Sequence, residues 1–179
     1  MKYILLKLAT VFTLLMVLLC GFTGGQTEAS TIDHQDLIIV NKYYNKLAYY
    51  DNGHLKMVTP VATGKTWDKT PVGFFKVVNK IKNRPYYTGK ISGGDSRNPL
   101  GKRWLGLNIN GTSGDTYAIH GNNNESSIGK YVSQGCIRMN NEDIEELFNQ
   151  VQVGTSVAIT YSYKSFIELT NLYGYGVRS

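Results

Sequence analysis

Short apolar runs separated by turn residues follow one another from Asp36 to about Thr160, and no other feature constrains the fold as much. The runs are rich in β-branched and aromatic residues, which favour strands. The sequence Asp51-Asn-Gly53 contains an Asn-Gly pair, which is a strong signal for a β-hairpin turn between two of the runs. We therefore predict a mainly β fold with strands at about residues 37–40, 46–50, 55–63, 74–78, 103–109, 116–120 and 156–160.

One segment follows a helical pattern instead. Asn140 or Asn141 can cap its start, and Gly154 terminates it. The apolar positions recur at i, i+3, i+4 and i+7, namely Ile144, Leu147, Phe148 and Val151. The sequence thus predicts one short α-helix that packs its apolar face on the sheet.

Two stretches lack a clear pattern. Residues 79–102 are rich in Asn, Gly, Lys and Ser and are predicted to form a long connection, and loops of that length often serve as lids or binding loops. Residues 161–179 are rich in tyrosine; they either pack on the body of the protein or form a loose tail. We expect this tail to be dispensable for chemistry, although its apolar residues Phe166, Ile167, Leu169 and Leu172 could cover a sheet face.

The first 29 residues have the organisation of a secretory signal. A basic start at Met1–Lys7 precedes an apolar run over 8–22 and a small-residue exit, with cleavage expected after Ala29. An uncleaved membrane anchor is the alternative, although the apolar run is short for a span. Cleavage leaves about 150 residues, the size of one domain. The predicted organisation is a signal peptide at 1–29, one folded domain at 36–160 and a tail at 161–179, in a secreted protein.

Cys136 is the one cysteine that remains after removal of the signal. A lone cysteine in an oxidising compartment has no intramolecular partner, so it is either a reactive thiol or an inert core residue. Its neighbours Ser133, Gln134 and Gly135 are polar and flexible, unlike a core strand. This setting favours a reactive thiol.

His120 is the candidate base for that thiol. It ends the segment Tyr117-Ala-Ile-His-Gly121, sixteen residues before Cys136, which is too far for a pairing on one helix. A strand, a loop and a returning strand could bring the two side chains together. Imidazole is the usual means of ionising a cysteine, so we expect a thiol pKa well below the usual value of about 8.5.

The residues around Cys136 suggest an oxyanion site. Backbone N–H groups from Gln134 to Cys136 could converge on a developing oxyanion, and Gly135 allows the close approach of a substrate. Gly121 lets the chain turn beside the imidazole, and Ser133 could orient the imidazole or hold substrate. Arg138 could bind a substrate carboxylate or pair with a structural partner such as Asp143.

Other chemistries find little support in the sequence. The formal charge of +6 suits an anionic polymer such as a cell wall, but the lysines are scattered and form no stripe for nucleic acid. The only histidines are His34, His54 and His120, and no metal-ligand spacing is present. No phosphate-cradling or dinucleotide-binding glycine motif occurs either, so we predict neither metal nor cofactor.

Over about residues 36–160 the chain resembles the L,D-transpeptidase catalytic domain family, the YkuD type. The motifs that carry the resemblance are Ala62-Thr-Gly64, Thr70-Pro-Val-Gly-Phe-Phe75, Asn98-Pro-Leu-Gly-Lys-Arg-Trp-Leu-Gly106, Ile119-His-Gly121 and Ser133-Gln-Gly-Cys-Ile-Arg-Met139. The resemblance implies a β-sandwich-like fold, with Cys136 as nucleophile and His120 as its base. Gln134 stands where many members carry a second histidine, so a mechanism here relies on His120 alone.

The resemblance also implies a function. Cysteine thioester chemistry would cross-link peptidoglycan stem peptides, a donor tetrapeptide and an acceptor amine, in cell-wall biogenesis and the maintenance of cell shape. Carbapenem-type β-lactams would inhibit covalently. Two alternatives stay open at this point: a secreted cysteine hydrolase acting on cell-wall peptides, such as an L,D-carboxypeptidase or an amidase, and a non-catalytic wall-binding protein.

Overall fold

The computed structural model describes residues 36–175, and the predicted signal at 1–29 lies outside them. The strands of this part are β1 Leu37–Asn41, β2 Lys46–Asp51, β3 His54–Pro60, β4 Thr63–Gly64, β5 Gly73–Lys82, β6 Arg103–Leu107, β7 Tyr117–His120, β8 Tyr131–Ser133, β9 Ile137–Arg138 and β10 Ser156–Thr160. The helices are α1 Asn141–Gln150 and α2 Phe166–Leu172, with 3-10 turns at Ile109–Gly111 and Glu125–Ser127. None of the helices within 36–175 is long and apolar enough to cross a membrane.

Eight of the strands form one curled sheet in the order β3-β2-β1-β10-β5-β6-β7-β9, and β4 pairs with β8 in a separate ladder. The pairs β1–β10, β7–β9 and β4–β8 are parallel, and the other neighbours are antiparallel. The prediction of a mainly β fold, with a short helix soon after Cys136, is confirmed. The helix begins at Asn141 with Asn140 in the cap position, although the Asn140 side chain makes no capping hydrogen bond.

The β1 strand has no polar face because both of its faces are covered. Ile38 and Val40 belong to the main core, in which α1 contributes its predicted apolar side chains. Leu37 and Ile39 point the other way into a second, smaller core. A strand buried on both faces is expected to be a continuous apolar run, and that is how this one is composed.

The second core is covered by α2, which the sequence pattern did not predict. Leu169 of this helix is 1% exposed and packs against the sheet, with Phe166 beside it, whereas Ile167 and Leu172 face solvent. Ser165 and Glu168 form a capping box at its start. The signal Ser-x-x-Glu was present in the sequence, but it was obscured by the weak apolar periodicity of the tail.

Other differences concern the ends of elements. β5 continues to Lys82, so the long connection is 83–102 and not 79–102. The returning strand of the hairpin ends at Pro60, and the next two residues lead into the short β4. The strands β8 and β9 are only three and two residues long, too short to give a pattern in the sequence.

Replacing Leu169 by alanine is expected to lower the free energy of unfolding by about 2–4 kcal/mol, because a buried leucine side chain leaves a cavity. Urea unfolding followed by circular dichroism measures this. The matched control is Ile167→Ala on the exposed face of the same helix, which should change stability by less than about 0.5 kcal/mol. If both variants changed stability only slightly, the packing of α2 against the sheet would be contradicted. The turnover per folded molecule should be unchanged in both variants.

Candidate active site

The register between β7 and β9 brings the two candidate catalytic residues to neighbouring strand ends. Ile119 lies opposite Ile137 and His120 opposite Arg138 in a parallel ladder. Cys136 immediately precedes β9 and is therefore level with Ala118. Cys136 and His120 both line a cavity of about 350 Å³, together with Arg138.

The His120 ring is fixed from two sides. Its Nδ1 lies 2.7 Å from the carbonyl oxygen of Gly121, and its plane stacks on Trp104 with ring centroids 5.5 Å apart and an angle of 14°. The guanidinium of Arg84 lies over the Trp104 ring, 4.3 Å from its centroid. Because a carbonyl only accepts, Nδ1 carries the proton of the neutral ring and Nε2 keeps its lone pair. In this tautomer Nε2 is the ring atom that can accept a proton.

Burial sets the charge of this imidazole. The side chain is 3% exposed, and burial lowers the pKa of His120 to about 4. The positive charge of Arg138 acts in the same direction, whereas the carbonyls of Gly121 and Leu100 oppose it. At neutral pH the ring is uncharged.

The thiol environment corrects the expectation of an ionised Cys136. Burial raises the pKa of Cys136 above its ordinary value, although the Ala118 amide and the charges of Arg138 and Arg84 act the other way. The Sγ atom donates to the Thr116 carbonyl at 3.4 Å. A neutral thiol beside a neutral imidazole is therefore favoured in the resting site, because burial penalises the charged form of each group. An attack by such a thiol would require a base to take its proton.

Ser133 shapes the turn that carries Cys136. This buried hydroxyl accepts from the Gly135 amide at 3.1 Å and donates to the Cys136 carbonyl at 2.6 Å. Both hydrogen bonds are internal to the turn. The structure therefore places the Ser133 hydroxyl inside the turn that carries Cys136, with no hydrogen bond to the imidazole.

Two backbone N–H groups of this turn make no hydrogen bond within residues 36–175 and could donate to a substrate. The Gly135 N–H is taken by Ser133, but within residues 36–175 the amides of Gln134 and Cys136 donate to no other group. The Gln134 peptide is oriented by its other side, since the Ser133 carbonyl accepts from the Lys65 amide at 2.9 Å. An oxyanion site at this turn would use the amides of Gln134 and Cys136.

The two glycines of the site have no room for a side chain. Gly135 has φ of +142°, and a Cβ atom there would come within 2.9 Å of the Tyr117 ring. A Cβ atom on Gly121 would lie 2.3 Å from Oδ1 of Asn141. The turn beside His120 therefore packs directly against Asn141, and the turn before Cys136 packs directly against Tyr117.

Arg138 lies on the cavity wall and is half-buried. Asp143, the structural partner considered for it, is instead bonded to Thr59 and Asn140. Among the ion pairs of residues 36–175 none involves Arg138. Its charge is thus available to a carboxylate in the cavity.

A second cavity of about 290 Å³ meets the first at Cys136. The two share Tyr86, Leu100, Thr116 and the cysteine, and the second extends toward Arg84 and Tyr87. The connection 83–102 supplies walls of both cavities, as expected of a binding loop. A larger polar cavity of about 580 Å³ around Asn98 and Asn122 does not reach the thiol. No group of three or more metal-binding side chains occurs within 36–175.

The model of the L,D-transpeptidase catalytic domain, YkuD, matches residues 35–159. The chain belongs to this family. YqjB of Bacillus subtilis strain 168, assigned to the L,D-transpeptidases, is 50% identical over 133 residues, which are 74% of this chain and 75% of the relative. The predicted family is therefore confirmed, and with it membership of a family of acyltransferase enzymes.

Solved structures support the L,D-transpeptidase fold. An L,D-transpeptidase of Enterococcus faecium aligns over 70% of this chain and 49% of its own, with a TM-score of 0.55 and 23% identity. A structure described as an avibactam carbamoyl enzyme aligns over 72% of this chain and 50% of its own, with a TM-score of 0.57 and 25% identity. The present chain thus spans about half the length of these solved chains.

Replacing Gln134 by alanine is expected to keep turnover within about tenfold of wild type, because the exposed side chain is lost while the backbone N–H remains. Gln134→His should be tolerated for the same reason. Gly135→Ala next to it should lose on the order of 10²-fold or more, since its Cβ would displace the Tyr117 ring and the turn. Initial rates of product formation on one peptide substrate measure all three. A folded Gln134→Ala protein as inactive as Gly135→Ala would mean that the amide side chain takes part in the chemistry.

Proposed function

We propose that this chain cross-links peptidoglycan stem peptides by ping-pong acyl transfer, with Cys136 as nucleophile and His120 as base. The observation that carries the proposal is the position of the Cys136 thiol, on the wall it shares with His120 and at the meeting point of two cavities. A transferase needs a donor and an acceptor to reach one atom in turn. A hydrolase needs only one cavity and access for water.

The first half-reaction forms a thioester. The Cys136 sulfur attacks the carbonyl carbon of an L-residue in a donor tetrapeptide while its proton passes to Nε2 of His120. The oxyanion that develops is held by the amides of Cys136 and Gln134. The C–N bond to the terminal D-residue then breaks, and the imidazolium returns the proton to the departing amine.

The second half-reaction forms the cross-link. The side-chain amine of a diamino acid on a neighbouring stem attacks the thioester, and His120 removes a proton from the attacking nitrogen. The C–S bond breaks, a new amide bond forms, and the thiolate regains its proton from the imidazolium. Arg138, which is unpaired within 36–175, would bind a substrate carboxylate.

The same site admits water as acceptor, which would give an L,D-carboxypeptidase. Incubation of the purified protein with a disaccharide tetrapeptide, followed by mass spectrometry, distinguishes the two. Transfer gives a dimer that lacks one terminal D-residue; hydrolysis gives only shortened monomers. Unchanged substrate with wild-type protein would favour a wall-binding protein without activity, and Cys136→Ala is the control for adventitious cleavage.

The proposed site of action is outside the cytoplasm, at the cell wall. The signal-like composition of residues 1–29 and the basic net charge of +6 support it, since a positive protein is attracted to an anionic wall. Fractionation of cells that produce the full chain, with detection by antibody, tests this. Recovery of the uncleaved protein in the cytoplasm would contradict it.

A further inference from the structure

Thr70 begins the Thr-Pro-Val-Gly turn, and its side chain also contacts the turn that carries Cys136. It is fully buried and has a φ of +56°, a conformation that β-branched residues rarely adopt. Its hydroxyl accepts from the Gly64 amide at 2.9 Å and donates to the Gly135 carbonyl at 2.8 Å. Backbone strain of this kind persists only where the surroundings enforce it.

The hydrogen bond to Gly135 determines where the Cys136 amide points. The Gly135 C=O and the Cys136 N–H belong to one planar trans peptide, so fixing the oxygen fixes the N–H on the opposite side. Ser133 holds the peptide planes before and after this one. Three successive planes are thus fixed by two hydroxyl groups, and Thr70 holds the middle one.

Lys42 keeps Thr70 in place. The residue is 2% exposed, and its ammonium donates to the carbonyls of Trp67, Lys69 and Thr70 at 2.9, 2.9 and 2.7 Å. These three acceptors use all three N–H bonds of the group. A buried charge with such partners is a rigid anchor for the segment that ends at Thr70.

We propose that Thr70 is a positioning residue for acylation, anchored by Lys42, and that its hydroxyl aims the Cys136 amide at the oxyanion. The inference rests on the proposed role of Cys136 as nucleophile. It extends that role from the reacting atoms to a buried hydroxyl sixty-six residues earlier in the chain.

The test compares two reactions of the same thiol. Acylation by a carbapenem passes through an oxyanion, whereas alkylation by iodoacetamide does not. Thr70→Val keeps the β-branch, and hence the backbone strain, but removes the hydroxyl. We expect its acylation rate to fall about 10- to 100-fold, because misplacing one donor costs part of its full effect. Its alkylation rate should stay within about threefold, and Thr70→Ser should acylate within about threefold of wild type.

The matched control is Thr59→Val, which removes a buried hydroxyl on β3 that is bonded to Asp143 and lines neither of the cavities that meet at Cys136. It should keep the wild-type ratio of acylation to alkylation whatever stability it loses. An unchanged ratio in folded Thr70→Val would overturn the proposal. If Thr70→Val does not fold, Thr70→Ser decides, since a tenfold loss with the hydroxyl retained would also overturn it.

Lys42→Met provides an independent arm. It should lower the ratio in the same direction, and the Lys42→Met/Thr70→Val double variant should lose no more than the larger single effect, because both act on one peptide plane. Additive losses would show that Lys42 acts separately. None of these reactions needs a cell-wall substrate, so the result stands even if the cross-linking reaction itself is not observed.

Discussion

Replacing Cys136 by alanine is expected to abolish acyl transfer, and replacing His120 by alanine should lower it on the order of 10⁴-fold or more. A nucleophile and its base act as a unit, so each loss alone approaches the loss of both. A thiol with a raised pKa is especially dependent on the base, because little thiolate exists before the attack. Initial rates of cross-linked product formation measure the effect.

Covalent labelling gives a second measure of the same prediction. Wild-type protein incubated with a carbapenem should gain the mass of one inhibitor molecule on Cys136, by intact mass and peptide mapping. Cys136→Ala should gain none. An adduct that persists in Cys136→Ala would place the nucleophile elsewhere, whereas a Cys136→Ala protein with wild-type unfolding and no adduct would support the assignment.

Acid is expected to destabilise the protein through His120. Its folded-state pKa of about 4 lies below the ordinary value of 6.5, so the unfolded chain takes up a proton before the folded one does. The stability that the neutral, buried ring contributes is complete above pH 6.5 and is lost as the pH falls through 4. The difference corresponds to about 3 kcal/mol at most.

Urea unfolding between pH 7 and pH 4 tests the assignment of that loss. In His120→Gln the fall in stability over this range should be smaller by about 3 kcal/mol. His54→Gln, at an exposed histidine of β3, is the matched control and should follow the wild type. If all three proteins lost stability equally, the pKa of His120 in the folded state would not be lowered, and the assignment would be wrong.

Activity should persist to well below pH 6.5, because the imidazole of the free enzyme stays neutral there. Initial rates measured between pH 7 and pH 5 test this.

Sequence patterns predicted the parts of the molecule that rest on local chemistry. The strands near 37–40 and 116–120 and the helix after Cys136 are set by apolar periodicity, which is a property of a few consecutive residues. Cys136 and His120 could be singled out because few residue types can serve as nucleophile and base. The roles assigned to them remain predictions.

What the sequence did not predict depends on contacts between distant residues. The hydrogen bond of Thr70 to Gly135 joins positions 65 residues apart, and that of Lys42 to Thr70 joins positions 28 apart. Only the fold brings them together. The predicted ionisation of Cys136 was wrong for a related reason, since burial raises the pKa of the thiol and a pair of residue types does not reveal burial.

The parallel ladder between β7 and β9 has a consequence for engineering. Because that ladder aligns His120 with Arg138, the sixteen-residue interval between His120 and Cys136 is not itself a requirement. The chain is anchored again at Gly129, whose amide donates to the Val61 carbonyl, and the exposed stretch 123–126 before it lies outside every strand. An epitope tag or a small fluorescent reporter inserted there should leave the thiol and the imidazole in register. This loop is therefore the place to insert a label that leaves the site intact.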